Sequence, residues 1–371
     1  MIVLFIIIPL LIVYSLLIFY YRQSWNNLPL HVAPAYTPAT TVSVIIPARN
    51  EAENIGRLLT VLQQQTYPRE LFGVIVIDDH STDDTAAIVQ QFAGVTLLQL
   101  TDDGINSYKK KAIETGIAAA RGELIITTDA DCWCGPNWLS TMVQFYEQEK
   151  PVFIAAPVSI DCSSRLVEVF QAYDFAVLQG ITGASVHRQA HAMCNGANMA
   201  YRRDVFYEVE GFRHIDTIAS GDDMLLMYKI WTRYPGRVRY LKSEDATMHT
   251  RPVTTWKGFI NQRIRWASKA THYDDKRILP VLLLVYLFNL SFLVLLILGC
   301  RHPVYWLYLA GLWIVKTIVE FPFVSAVTRF FGKQYLMRYF FFFQPLHILY
   351  TILAGLFGQF GKYEWKGRKV S

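Results

Sequence analysis

Residues 2–21 (IVLFIIIPLLIVYSLLIFYY) contain no charged side chain. A helix of that length spans the hydrocarbon core of a bilayer. The run has no basic leading segment and no small-residue cleavage site, so it reads as an anchor, not a removable signal. Residues 278–300 form a second charge-free run. Residues 303–328 form a third, broken by Lys316 and Glu320, whose i,i+4 spacing lets them neutralise one another on one helix face. Residues 339–361 form a fourth, rich in Phe. The whole chain is 53% hydrophobic and 18% charged, against about 25% charged in soluble domains. That balance excludes disorder and argues against a purely water-soluble globule.

Other classes fall away on charge and cysteine content. The net charge is +5 and the basic residues form no long tract, so nucleic acid is not implied. The five cysteines (Cys132, Cys134, Cys162, Cys194, Cys300) are few and odd in number. Reduced thiols facing the cytosol fit better than a disulfide framework.

Residues 22–277 have ordinary polar content, enough for one large domain, reached through a stretch carrying Pro29, Pro34 and Pro38. Arg22 follows the first span, and Lys269, Lys276 and Arg277 precede the second. The positive-inside bias therefore places the central domain in the cytosol. Three further spans would put the tail (Lys362, Lys366, Arg368, Lys369) outside, against that bias. Either the bias yields there, or one of the last three segments is interfacial or re-entrant.

From 42 to 131 strands and helices alternate. VSVII (42–46) reads as a strand ended by Pro47. Ile55, Leu58, Leu59 and Leu62 share one helical face. GVIVI (73–77) is a second strand, followed by a helix capped by Ser81 or Thr82 with Asp83 and Asp84 in its first turn. VTLLQL (95–100), a helix over 109–120, and the strand ELIITT (123–128) complete the pattern. Apolar strands separated by helices imply a parallel sheet covered on both faces.

Polar clusters stand where the strands stop: Ala48-Arg49-Asn50-Glu51, Asp78-Asp79-His80 and Asp129-Ala130-Asp131. Helix capping accounts for any one of them. Three along one sheet edge, the last a D-x-D, point to a nucleotide site, because ligands of open α/β sheets bind at the carboxyl ends of strands. Two carboxylates spaced i,i+2 can approach one hard cation, Mg²⁺ or Mn²⁺, whose remaining ligands are waters and phosphates. Neither G-x-x-x-x-G-K-[ST] nor G-x-G-x-x-G occurs, which disfavours P-loop and dinucleotide folds.

Later motifs complete an ordered set. SVIIPARNEAENI (43–55), VIVIDDHSTDDT (74–85), GELIITTDADC (122–132), NGANMAYRR (195–203), GDD (221–223) and QRIRW (262–266) follow one another. In this combination the chain resembles the membrane-embedded family 2 glycosyltransferases of GT-A fold. That branch includes cellulose, chitin, hyaluronan and poly-N-acetylglucosamine synthases and ceramide glucosyltransferases. The likeness covers about residues 42–266.

The resemblance implies an α/β GT-A domain with a mostly parallel sheet and transmembrane helices at both ends. The expected layout is an anchor (1–22), a linker (23–41), the catalytic domain (42–251), an interfacial segment (252–277), a C-terminal membrane region (278–361) and a basic tail (362–371). It also implies roles. Pro47, Ala48, Asn50 and Glu51 would shape the nucleoside pocket, and Asp79 would bond the uracil of a UDP-sugar. Lys109 would face the donor, although any of Lys109-Lys110-Lys111 could do so and a solvated helix start is the plain alternative. Asp129 and Asp131 would hold the metal and diphosphate, Asp131 most directly. Asp223 would be the general base, with Gly196 and Asp222 beside the acceptor. Asp222 stands where a Glu is often found and could share the role. A single carboxylate base opposite a metal-bound leaving group gives displacement with inversion, and needs no second catalytic carboxylate.

Gln262, Arg263, Arg265 and Trp266 would serve the diphosphate and the acceptor: Arg supplies permanent charge, Trp a flat stacking face. Residues 254–270 read equally as an amphipathic helix on the membrane surface, with Trp256 at the headgroups. Cys132-Trp133-Cys134 lacks the second pair of a zinc site, and HRQAH (187–191) lacks the protease Glu, so His187 and His191 read as polar residues near the acceptor opening. His249 is a candidate further metal ligand. The expected protein is an inverting transferase, using a UDP-sugar and a lipid or short-glycan acceptor in a bacterial cytoplasmic membrane. The alternatives are a processive polysaccharide synthase and an inactive membrane scaffold of the same fold.

Overall fold

The computed structural model of the protein describes residues 2–32, 37–216, 218, 221–268, 274–358, 363–365 and 368–370. Pro34, Lys269, Lys362 and Lys366 lie outside the described residues. The chain forms two compact units. One comprises Pro29–Asp161, Ala192–Arg251 and Glu364–Ser371; the other comprises Met1–Leu28, Cys162–His191 and Pro252–Tyr363.

Helix α1 (Ile2–Asn27) opens the chain and belongs to the helical unit. The α/β unit then runs β1 (Val42–Ala48), α2 (Ile55–Gln63), β2 (Phe72–Asp78), α3 (Thr85–Gln90), β3 (Val95–Gln99), α4 (Tyr108–Ala119) and β4 (Leu124–Thr127). It continues with β5 (Cys132–Cys134), α5 (Trp138–Glu149), β6 (Phe153–Ala155) and β7 (Val158–Ile160). After helix α6 (Leu166–His187) of the other unit come β8 (Met199–Arg202), α7 (Arg203–Glu208), α8 (Asp222–Arg233), β9 (Val238–Tyr240) and β10 (Met248–Thr250).

Among the described residues the central sheet has seven strands in the order β3-β2-β1-β4-β8-β6-β9. Strands β1 to β4 pair in parallel, with Val44 opposite both Val74 and Ile126. Strand β8 is antiparallel to β4 and β6, and β9 is parallel to β6. The centres of β1, β2 and β4 are buried on both faces, as their apolar runs require. Ile55, Leu58, Leu59 and Leu62 all lie on the buried side of α2. Strand order reverses at β1, which has β2 on one side and β4 on the other. The carboxyl ends of strands flanking such a reversal form the ligand crevice of open α/β sheets.

Two local expectations are corrected. Pro47 does not end β1; the strand runs on to Ala48. Its ladder with β4 stops at Ile45, so the missing N–H of Pro47 has no partner to lose on that side. Nor does Ser81 or Thr82 cap α3, which begins at Thr85. Asp83 Oδ1 accepts from the Thr85 N–H at 3.1 Å, while the Thr82 N–H is taken by Asn50 Oδ1 at 2.8 Å.

A second sheet, β5-β10-β7, braces the far half. Asn198 locks its surroundings from complete burial. Its Nδ2 donates to the carbonyls of Pro157 (2.7 Å) and Ala246 (2.8 Å), and its Oδ1 accepts from Trp138 Nε1 (3.0 Å). Asn198→Ala strands all three partners and should cost about 2–4 kcal/mol. Denaturant unfolding of the purified protein checks this; a loss below about 1 kcal/mol contradicts it.

The helical unit adds α9 (Trp256–Ser268), α10 (Ile278–Gly299), α11 (Val304–Phe330) and α12 (Phe340–Phe357). Among the described residues, four helical stretches are long and apolar enough to cross a membrane: Val3–Asn27, Ile278–Gly299, Val304–Phe330 and Gln334–Phe357. Lys316 and Glu320 do pair, at 2.8 Å. Lys316 also donates to Gln344, Gln344 Nε2 donates to Glu320 Oε2 at 2.7 Å, and the Tyr14 hydroxyl donates to Glu320. This network joins α1, α11 and α12 by satisfied polar contacts where unpaired charge would be costly.

Helix α6 departs from the expected continuous 42–251 domain, because it packs with α1 and α11. Gly180 permits the approach: a Cβ there would fall 2.4 Å from Val327 Cγ2. His191 also departs from its expected place at an acceptor opening. It is buried, with Nε2 3.2 Å from the Tyr21 hydroxyl and 3.0 Å from Ser185 Oγ.

Candidate active site

The loops after β1 and β2 are knitted together. The Asp79 N–H donates to the Ala48 carbonyl at 2.8 Å, and Arg49 Nη1 donates to the Asp79 carbonyl at 2.7 Å. Asn50 adopts a positive φ of 51°, its N–H on Ser81 Oγ and its side chain on Thr82. The Glu51 N–H donates to Thr85 Oγ1 at 2.8 Å, and its carboxylate accepts from Asn54 Nδ2 at 2.8 Å. Asn50 and Glu51 therefore shape the rim by holding neighbouring loops. Asp79 is 2% exposed, with Oδ1 3.0 Å from His80 Nδ1 and 3.8 Å from Arg49 Nη1. Arg49, which the motif alone gives no role, is one of the residues that join the two loops.

At the end of β4, Asp129 Oδ1 meets Lys109 Nζ at 2.7 Å. The same ammonium lies 3.2 Å from Asp222 Oδ2. Burial alone would lower the Lys109 ammonium's pKa, but Asp129, Asp222 and Asp223 outweigh it and raise the value above its usual range. The three lysines at the start of α4 separate by helical phase. Lys109 enters the acidic rim, Lys110 is buried, and Lys111 faces Asp102 at 3.8 Å.

Asp223 stands in the first turn of α8, delivered by Gly221 at φ 83°. Its Oδ1 accepts from the Met224 N–H at 2.8 Å and its Oδ2 from the Gly196 N–H at 3.2 Å. Two backbone amides thus fix the carboxylate while it keeps partial exposure. Gly196 lies where the charged groups meet. A Cβ there would sit 3.2 Å from Asp222 Oδ2, 3.3 Å from Lys109 Nζ and 3.6 Å from Asp223 Cβ. Lys109, Asp129, Gly196, Asp222 and Asp223 are therefore brought together, and Asp131 follows Asp129 at the entry to β5.

Asp131 Oδ1 accepts from Cys132 Sγ at 3.4 Å. Burial, with Asp131 and Asp129 nearby, pushes the Cys132 thiol well above its usual range, so it stays protonated. Among the described residues no three His, Cys, Asp or Glu side chains gather as a metal cage. His249 is engaged elsewhere: its Nδ1 lies 3.1 Å from Asp161 Oδ1, and its ring stacks on Trp133 at 6.0 Å. The same indole carries the Arg57 guanidinium, 3.5 Å from the ring centre. The oxygen donors of Asp129 and Asp131 fit a hard cation that takes most of its shell from phosphate and water, as Mg²⁺ and Mn²⁺ do at nucleotide sites.

The QRIRW residues lie on α9, in the helical unit. Arg263 departs from its expected diphosphate role. It is 4% exposed, and its Nη2 meets Asp174 Oδ2 at 2.6 Å. Its guanidinium covers one face of Trp266 at 4.3 Å and approaches Phe259 at 4.9 Å. Tyr350 donates to the other Asp174 oxygen at 2.5 Å. Arg263→Leu leaves Asp174 buried without its cation and should cost about 3–5 kcal/mol. Adding Asp174→Leu should restore much of that loss. Thermal unfolding of the single and double variants in detergent checks it; additive losses would contradict the pairing. Trp256 is 40% exposed.

A sequence model described as "Glycosyl transferase family 2" matches residues 43–210. The chain is similar to "Glycosyltransferase AglE" of Haloferax volcanii, 38% identical over 101 residues, covering 26% of this chain and 33% of that one. It is also similar to "4,4'-diaponeurosporenoate glycosyltransferase" of Staphylococcus aureus, 33% identical over 137 residues, covering 36% and 35%. The chain thus spans about a third of the length of these relatives. A solved structure, "Mannosyltransferase PcManGT from Pyrobaculum calidifontis in complex with GDP-Man and Mn2+", shares the fold with a TM-score of 0.59 and 20% identity, covering 96% of each chain. The parallel sheet, the ordered motifs and these likenesses agree: residues 43–210 carry a family 2 glycosyltransferase domain, on a GT-A-like fold.

Proposed function

We propose that this protein is an inverting glycosyltransferase of a membrane, passing a sugar from a UDP-sugar to a lipid or short-glycan acceptor. The observation that carries the reading is the convergence of Asp223, Gly196, Lys109 and Asp129 on one rim. Asp223, fixed by two amides, takes the proton of the acceptor hydroxyl as that oxygen attacks the anomeric carbon. Lys109 neutralises the acidic rim and faces the diphosphate. Asp129 and Asp131 would hold Mg²⁺ or Mn²⁺, which supplies charge neutralisation for the leaving diphosphate. Asp79 bonds the base, with Pro47, Ala48, Asn50 and Glu51 framing the nucleoside. The motif assigns Gln262, Arg265 and Trp266 to the diphosphate and acceptor, and the reading keeps that assignment.

Asp222, paired with Lys109, serves as that lysine's anchor in this reading and leaves the base role to Asp223. Four apolar helices favour an acceptor that resides in the bilayer. Arg22, Lys276 and Arg277 support a cytosolic catalytic unit in this reading, which takes the bacterial cytoplasmic membrane as its home.

The test supplies radiolabelled UDP-glucose, UDP-N-acetylglucosamine and GDP-mannose to membranes carrying the full chain or its Asp223→Asn variant. Chloroform-soluble product bearing one sugar, formed from a UDP-sugar by the parent alone, supports the reading. High-mass product identifies a polymer synthase, and turnover of GDP-mannose alone overturns the donor. Absence of metal-dependent nucleotide release from the parent overturns catalysis and leaves a scaffold.

A further inference from the structure

We propose that Lys110 is a positioning residue for the general base: its ammonium fastens the segment that delivers Asp222 and Asp223 to the rim. The inference rests on the reading of Asp223 given above. Lys110 is 2% exposed, although it lies in the first turn of α4 beside two lysines that reach other partners. Its Nζ donates to the carbonyls of Ile215 at 2.5 Å and Ile218 at 2.6 Å. Burying an ammonium is costly unless its protons are taken up by good acceptors. The acceptors here are backbone carbonyls of the run just ahead of Gly221, where the chain turns into α8.

The neighbour in sequence completes the grip. Lys109 reaches Asp222, so one turn of α4 holds the base-bearing segment by backbone through Lys110 and by side chain through Lys109. Helix α4 packs on β1 and β2, the strands whose ends carry the nucleoside rim. The fastening therefore sets the base relative to the donor side of the site.

Lys229 supplies the contrast. Its Nζ donates to the carbonyls of Gly211 (2.6 Å) and Arg213 (3.0 Å), at the far end of the same segment. Lys229 is itself on α8, so it travels with Asp223 and gives the base no external reference. The buried Lys110 and the half-buried Lys229 thus both hold this segment, and of the two Lys110 ties it to a different element.

The experiment uses the full-length chain in membranes and compares Lys110→Met, Lys110→Arg and Lys229→Met. Misplacing a catalytic group by about an ångström costs on the order of 10²-fold in rate. Lys110→Met should therefore lower kcat by about 10–100-fold, with donor KM and the affinity for Mn²⁺ plus UDP within about 3-fold of the parent. Lys110→Arg, which restores donors, should recover most of the rate. Lys229→Met should lower thermal stability and change kcat by less than about 3-fold. Parent-like kcat in Lys110→Met, equal kcat losses at Lys110 and Lys229, or parallel loss of UDP affinity would each overturn the proposal. If Lys110→Met does not accumulate, Lys110→Gln, which keeps an amide donor, is read by the same criteria. If the parent turns over no donor, the functional reading fails separately, and amide exchange across 211–223 decides the fastening: faster exchange in the Lys110 variant supports it, unchanged exchange sinks it.

Discussion

Asp223→Asn is expected to lower sugar transfer by about 10²–10⁴-fold, the range a positioned general base contributes. The side chain keeps its shape but loses its proton acceptor. It also loses half of its anchoring, because Asp223 accepts from Met224 with one oxygen and from Gly196 with the other. An amide turns its NH₂ group towards one of those N–H donors. Binding of UDP with Mn²⁺ should stay within about 3-fold, since the proposed reading puts Asp223 on the acceptor side of the rim. Asp222→Asn should cost far less, about tenfold, by loosening Lys109. Nucleotide release and product formation in matched membranes measure both. The assignment falls if Asp223→Asn keeps more than about a tenth of the parent rate, or if the two variants rank in the opposite order.

The second large effect is expected at Asp131. Charge stabilisation by a bound cation supplies several kcal/mol to a leaving diphosphate, and about 1.4 kcal/mol is a factor of ten in rate. Asp131→Asn keeps the side-chain shape and an oxygen for the Cys132 thiol, yet removes the charge that would hold the ion in the proposed reading. Activity should fall about 10²–10³-fold, and the Mn²⁺ concentration for half-maximal rate should rise. Asp129 does not substitute for it, because its carboxylate already faces Lys109 at 2.7 Å. Titrating initial rate with MnCl₂ distinguishes this from a general loss of fold. An unchanged metal requirement in Asp131→Asn would remove Asp131 from the ion.

Period and composition carried the first half of the α/β unit well. The buried faces of α2 and the strands around Val44, Val76 and Ile126 lie where the apolar pattern puts them. What local pattern could not show was competition between distant loops. Thr82 lies ahead of α3, which begins at Thr85, with its N–H and hydroxyl both drawn to Asn50 Oδ1 of another loop. The lysine triplet was ambiguous as a string, and only the helical phase against the GDD segment separates its members. Arg263 matched a diphosphate role by motif, but a carboxylate on α6 claims it. That carboxylate, Asp174, lies in a helix buried on nearly every side. The sequence hides this, because LVEVFQAYDFAVLQGITGASVH carries Glu168, Gln171, Asp174, Gln179, Thr182 and Ser185 on one face, a stripe that reads as solvated although all six are buried.

The place of α6 in the chain has a practical meaning for anyone preparing a crystallisable catalytic fragment. Trimming both ends at 42 and 251 keeps residues 162–191, yet discards α1 and α11, the partners that cover them. Such a fragment would expose a greasy rod in its middle and come out of the cell as precipitate. A truncation that stays in solution has to excise an interior stretch as well as the two termini.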